Sequence, residues 1–250
     1  AARGRIVFEA ACADCHGTYG EGGSYPEKLV PIGVIGYRTD QSAAPIIQPI
    51  LQGPLANRPL VSITDVGNSP ARIDSTVQQM HDEETGQMIE VPTDTPVWVD
   101  PYAEGSTPMC HVFHYAHGIL SQWIMQHPSS FPPIVIHITD GESQDGDPLP
   151  YAEAVKALAT SDGNVLLFNC HLSMSAIDPF VFPASDQGLP DDLARTLFHM
   201  SSPLPEPFFR SAVQEGYQLQ PGARGMAFNA DMVVLINFLD MGTRAAVQLR

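Results

Sequence analysis

The residues best equipped for chemistry in this chain are Cys12, Cys15 and His16, in the run Cys12-Ala13-Asp14-Cys15-His16. Covalent haem attachment needs two thiols at this spacing with an imidazole beside the second: the thiols add to the two vinyl groups and His16 ligates the iron. Only 4 cysteines occur in 250 residues, which makes two of them at this spacing informative. The same three groups are also a donor set for zinc, or an attachment motif that carries no haem. A different chemistry is offered by Asp140, which ends the apolar run Ile134-Val135-Ile136-His137-Ile138-Thr139 and opens Asp140-Gly141-Glu142-Ser143. A carboxylate at the carboxyl end of a buried strand lies where open α/β sheets bind ligands.

The elements that must position these groups follow from periodicity. A helix is predicted from Thr107 to about His127, with Phe113, Ala116, Leu120 and Trp123/Ile124 as its apolar stripe and Pro128 beyond its end. Strands 134–139 and 164–170 enclose a helix over Tyr151–Thr160 whose buried side is Ala152, Val155, Leu158 and Ala159, which together read as a parallel crossover unit. Helices near Asp191–His199 and Pro205–Tyr217 follow, then a strand at 225–229 and a helix over 230–240, whereas 65–108 contains long irregular stretches.

The segment Gly105-Ser106-Thr107-Pro108-Met109-Cys110, taken with the strand that ends at Asp140, resembles the von Willebrand factor A (vWA) domain family from about Pro31 to Arg244. The resemblance implies an α/β, vWA/Rossmann-like fold, with a mostly parallel central sheet of at least four strands flanked by helices and including 32–37, 134–139, 164–170 and 225–228. In that family a divalent ion is held by an Asp-x-Ser-x-Ser loop after the first strand, a Thr from a second loop and an Asp from a third. Thr107 matches the second loop and Asp140 the third. A hard cation such as Mg²⁺ takes oxygen ligands in near-octahedral geometry and keeps several waters, so hydroxyls and carboxylates suit it. Nothing upstream of Ile32–Tyr37 fits the first loop. Asp40-Gln41-Ser42-Ala43-Ala44 has half of that motif, but Ala44 stands where the second hydroxyl is needed and the segment follows what reads as the second strand. Thr107-Pro108 is equally a plain helix start, and Asp140-Gly141 an ordinary turn.

Residues Gly4 to Gly23 resemble the opening of a c-type cytochrome domain, and that resemblance fades where the vWA-like text begins. The organisation expected is a cytochrome c-like haem-attachment fragment at 1–30 and a vWA-like domain at 31–250, as a bacterial fusion would give. The first strand is then missing or substituted, with Arg5-Ile6-Val7-Phe8-Glu9 the candidate substitute. Distal haem ligands would come from Met80, His81 or Met88, in a stretch that reads as a solvated loop.

Charge narrows the partners. The chain holds 12 basic and 28 acidic residues, a net −16, with 9 basic and 24 acidic residues from position 31 on. Such a surface repels phosphate backbones and anionic lipid, so no nucleic-acid or membrane partner is expected. No run approaches the roughly 18 apolar residues of a membrane span. No apolar stretch follows Ala1-Ala2-Arg3-Gly4-Arg5 as in an export signal, although a processed chain would read the same. The cytoplasm is therefore expected, or the periplasm if haem is attached. His111, His114 and His117 read as surface or packing residues, and Cys110 and Cys170 as buried thiols whose pairing is open. No nucleophile or paired-carboxylate arrangement nominates an enzyme. The expected function is a protein-interaction module with a degenerate divalent-metal site, Mg²⁺ at Thr107 and Asp140, that engages a protein partner. The alternative is electron transfer by haem c on Cys12, Cys15 and His16.

Overall fold

The computed structural model describes residues 31–81, 87–102, 104–173 and 177–248. Among these residues two compact units result, one formed by 31–36 with the described part of 48–104, the other by 37–47 with the described part of 105–248.

In the first unit, β1 (Pro31–Ile32) pairs antiparallel with β4 (Val61–Ser62), and a 3₁₀ turn spans Gly53–Leu55. The Ser62 hydroxyl accepts the Asp65 N–H at 2.9 Å and so caps α1 (Ile63–Asn68). Leu51, Leu55 and Val61 form a small core against Val34, Val66, Trp98 and Val99, and the Trp98 indole donates to the Val66 carbonyl at 2.7 Å. The irregular stretch expected over 65–108 holds instead a long antiparallel ribbon, β5 (Arg72–His81) against β6 (Met88–Val97), in register from Arg72↔Val97 to His81↔Met88. Its β-branched residues favour strand, but Ile73 and Val77 are exposed, so the described side chains show no buried face that would mark it by alternation.

In the second unit, β7 (Ile134–Thr139), β10 (Leu166–Leu172), β11 (Phe180–Val181) and β12 (Met226–Ala230) form a four-stranded sheet in the order β11-β12-β10-β7. β10 runs parallel to β7 and β12, whereas β11 is antiparallel to β12. This corrects the large, mostly parallel central sheet expected from the sequence: among the described residues the sheets are small, and the one four-stranded sheet is mixed. The predicted strand at 32–37 is not part of it. β2 (Ile35–Thr39) pairs with β3 (Pro45–Pro49), and the fourth place in the sheet goes to Phe180–Val181. The physical reason lies in where β2 spends its bonds. Its backbone ladder goes to β3, while its side chains, not its amides, reach β7.

Alternation along β10 builds two cores. Leu167 packs with Met109, Phe113, Ala152, Val155, Leu197 and Met226, and Phe168 and Cys170 pack with Phe208, Ala212, Ala227 and Phe238. The first group draws on α2 (Met109–Gln126), α3 (Leu149–Ala157) and α4 (Asp192–Met200), the second on α5 (Glu206–Gln214) and α6 (Met232–Gln248). α3 stops short of the predicted Thr160 because Leu158 turns extended and Ala159–Thr160 joins Gly163–Asn164 in a two-stranded turn, β8 and β9.

Candidate functional site

Thr139, the last residue of β7, is buried, and its hydroxyl donates to the Gly141 carbonyl at 2.9 Å and accepts the Gly141 N–H at 3.2 Å. That double contact turns the chain sharply and leaves the Asp140 side chain exposed, and no hydrogen bond to its carboxylate occurs among the described residues. The Thr107 hydroxyl lies 3.7 Å from where a Cβ on Gly141 would stand, and the Thr107 carbonyl accepts the Gln144 N–H at 3.0 Å. The two sequence-predicted metal residues, Thr107 and Asp140, thus lie on adjoining loops at the carboxyl end of β7.

Asp145 fixes the start of α2 from the same loop. One of its oxygens accepts the Cys110 N–H and the other the His111 N–H, both at 3.0 Å. The Ser143 hydroxyl at 3.0 Å and His111 Nδ1 at 2.6 Å complete its shell. Burial opposes the charge on Asp145, but the His111 contact, the two backbone donors and Ser143 outweigh it, and its carboxyl is lowered to about 2. Pro108 and not Thr107 is the residue flanking the first turn, and the capping comes from Asp145, which leaves the Thr107 hydroxyl outside the cap.

Behind these loops runs a line of polar side chains, half-buried at Tyr37 and buried at His137, Asn169 and Ser201. The Tyr37 hydroxyl stands 2.8 Å from His137 Nε2, His137 Nδ1 stands 2.9 Å from Asn169 Oδ1, and Asn169 Nδ2 donates to the Ser201 hydroxyl at 2.9 Å. With an acceptor at Nδ1, that nitrogen carries the proton and Nε2 accepts from the tyrosine. Burial lowers the His137 pKa to about 4 against the Asn169 contact, and burial raises the Tyr37 phenol to about 12 against a Thr139 hydrogen bond, with the Asp140 and Asp145 charges adding to the rise. His171, paired with Thr139 across the sheet, stacks on Phe228 with ring centroids 4.3 Å apart. Burial pushes its pKa down while Asp191 and Asp140 pull it up.

Other candidates resolve differently. Asp40 Oδ1 accepts the Ser42 N–H, the Ser42 hydroxyl and the Ala44 N–H, so that segment is a self-contained turn. Cys110 and Cys170 are free, buried thiols, and burial raises Cys170 to about 11. Among the described residues no group of three or more His, Cys, Asp or Glu is placed to hold a metal. Thr107 and Asp140 offer one hydroxyl and one carboxylate, fewer protein oxygens than are needed to hold a hard ion stripped of most of its water. Cys12, Cys15 and His16 lie outside the described residues. Of the residues weighed as distal haem ligands, Met80 and His81 fall in the ribbon strand β5 and Met88 opens β6 with an exposed side chain.

Residues that the sequence did not nominate are Tyr37, Thr39, Ser106 and the His137–Asn169–Ser201 line. A histidine inside the apolar run 134–139 was the available signal, since a buried polar residue requires partners. No family model, curated protein or solved structure matches the chain. No helix among the described residues is long and apolar enough to cross a membrane.

Proposed function

We propose that the chain is a protein-interaction module that engages its partner through a weakly held divalent cation at Thr107 and Asp140, without catalysis. The observation that carries this reading is the Thr107 hydroxyl 3.7 Å from where a Cβ on Gly141 would stand, next in sequence to an exposed Asp140 carboxylate that takes no hydrogen bond among the described residues. The likeness of these two segments to the second and third metal loops of vWA domains supports it, as does a net charge of −16, which favours cations and basic partners over nucleic acid or anionic membrane. Bound Mg²⁺ would supply a Lewis-acidic point at which a carboxylate of the partner can coordinate. Thr107 and Asp140 would hold the ion, and its remaining ligands would be water. With two protein oxygens to offset lost hydration, affinity is about millimolar at best. Mg²⁺ titration followed by calorimetry tests this: the reading expects weak binding that Asp140→Ala removes, and it fails if Asp140→Ala leaves the isotherm unchanged. The cytoplasm is the compartment proposed for this activity.

A second reading rests on Cys12-Ala13-Asp14-Cys15-His16: electron transfer by covalent haem in an exported form of the chain. A Soret band that survives acid-acetone extraction would favour it.

A further inference from the structure

The ribbon of β5 and β6 is a sheet of its own, so among the described residues neither of its outer edges has a neighbouring strand. The two edges are not equivalent. Proline has no N–H to donate across a ladder, yet Pro92 and Pro96 lie within β6, opposite Val77 and Ile73. They therefore occupy positions whose backbone turns away from β5. The Ala71 N–H, which donates to the Val97 carbonyl at 2.8 Å, agrees, since it places residue 97 in the inward set. In an antiparallel pair, residues opposite outward positions point outward as well. The outer edge of β6 thus lacks donors at 92 and 96, whereas β5 presents the N–H and C=O of Ile73, Ser75, Val77 and Gln79 without interruption. No backbone hydrogen bond from outside the ribbon reaches these four residues among the described ones. Nor does β5 contain the proline or lysine that commonly blocks an exposed edge.

The same alternation puts the side chains of these four residues on one face, with Pro96, Asp94, Pro92 and Glu90 across from them, and the Ser75 hydroxyl donates to Asp94 at 2.6 Å. Ile73 and Val77 are 60% and 63% exposed, and Ser75, Gln79, Glu90 and Asp94 are exposed too. Apolar and acidic cross-strand pairs therefore alternate along this face. Over 72–97 one basic residue stands against six acidic ones, a net −5, and that residue, Arg72, is already tied to Asp74 and Asp100. Two strands alone are marginal in water, and a third adds main-chain hydrogen bonds. Independently of any ion at Thr107 and Asp140, we propose that the outer edge of β5 docks an extended segment of a partner protein that carries apolar and basic residues in turn at alternate positions. Its apolar side chains lie against Ile73 and Val77. Its basic side chains, beside Ser75 and Gln79, reach toward Asp94 and Glu90, and its backbone pairs with the open edge. Charge selects this occupant over a second copy of the chain, because β5 against β5 brings two acidic ribbons together.

The test titrates the isotopically labelled full chain with the synthetic peptide VTKTVTK and its acidic counterpart VTETVTE. VTKTVTK should shift the amide signals of Ile73, Ser75, Val77 and Gln79 and slow their hydrogen exchange, and VTETVTE should bind at least about tenfold more weakly. Methylating the valine and lysine backbone nitrogens of VTKTVTK should abolish binding, whereas methylating its threonine nitrogens should be tolerated. Ser75→Pro, which removes an outward donor, should weaken VTKTVTK about tenfold, and Glu90→Gln with Asp94→Asn should weaken it and flatten its salt dependence. The methylated peptides keep the test decisive if Ser75→Pro disturbs the ribbon, because they leave the protein unchanged. No binding of VTKTVTK up to about a millimolar, equal binding of the two peptides, shifts centred on β6, or indifference to methylation of the valine and lysine nitrogens would each overturn the proposal. So would slow exchange of the four amides in the free chain: dependence on protein concentration would assign the edge to a second copy, and independence of it to another segment of the same chain.

Discussion

Lowering the pH should destabilise the second unit through His137 before any carboxylate contributes. The His137 ring is fully enclosed and neutral, with its two nitrogens committed to Tyr37 and Asn169. Its pKa falls from 6.5 to about 4 on folding. Between those values the unfolded chain binds the proton and the folded chain does not, so stability is complete above about 6.5 and is lost as pH falls toward about 4. At about 1.4 kcal/mol per unit, the loss attributable to this residue is about 2 kcal/mol by pH 5 and about 3 kcal/mol by pH 4. The chain has two tryptophans, Trp98 in the first unit and Trp123 in the second, so in a Trp98→Phe background the fluorescence of Trp123 reports the second unit alone. Urea unfolding at pH 7, 6, 5 and 4.5 would be compared with the same series in His137→Gln. The His171 pKa is also lowered by burial and acts in the same direction, so the difference between the two series isolates His137. Identical pH dependence with and without His137 would refute the reasoning.

Asp145→Ala removes the acceptor for both N–H groups at the start of α2 and for Ser143, and should cost about 1–2 kcal/mol by urea unfolding at neutral pH. The depressed Asp145 pKa contributes stability above its ordinary 3.8 that is lost only as pH falls toward about 2, a window below that of His137. Protein expressed without an added export signal should be colourless, because haem attachment at Cys12 and Cys15 needs a maturation compartment. Exported protein carrying haem should be high-spin, and a low-spin spectrum with a methionine-to-iron band would reverse the order of the two functional readings.

Local pattern sufficed for elements whose faces are buried. The stripe read over 107–127 and the apolar runs 134–139 and 164–170 announce themselves, with the helix observed at 109–126 and the second strand at 166–172, because a sheet and its covering helices impose strict periods. The ribbon 72–97 does not, since Ile73 and Val77 face solvent and the described side chains show no buried face that would impose alternation. The partner of 35–39 was unreadable for a different reason: strand choice depends on contacts such as Tyr37 to His137, 100 residues apart in sequence. The neighbourhood of Thr107 and Asp140 came from family resemblance, not spacing, and the buried line through Asn169 and Ser201 had only His137 as its visible end.

Paramagnetic broadening by Mn²⁺, which shares the hard-oxygen preference of Mg²⁺, locates the ion directly. Added in small amounts to the isotopically labelled full chain, it should broaden the amide signals of Thr107, Asp140 and Gly141 first, with excess Mg²⁺ reversing the effect. Broadening that instead begins at Glu142, Asp147 or Asp82–Glu84 and spares Thr107, or that persists unchanged in Asp140→Ala, would contradict an ion site at the carboxyl end of β7.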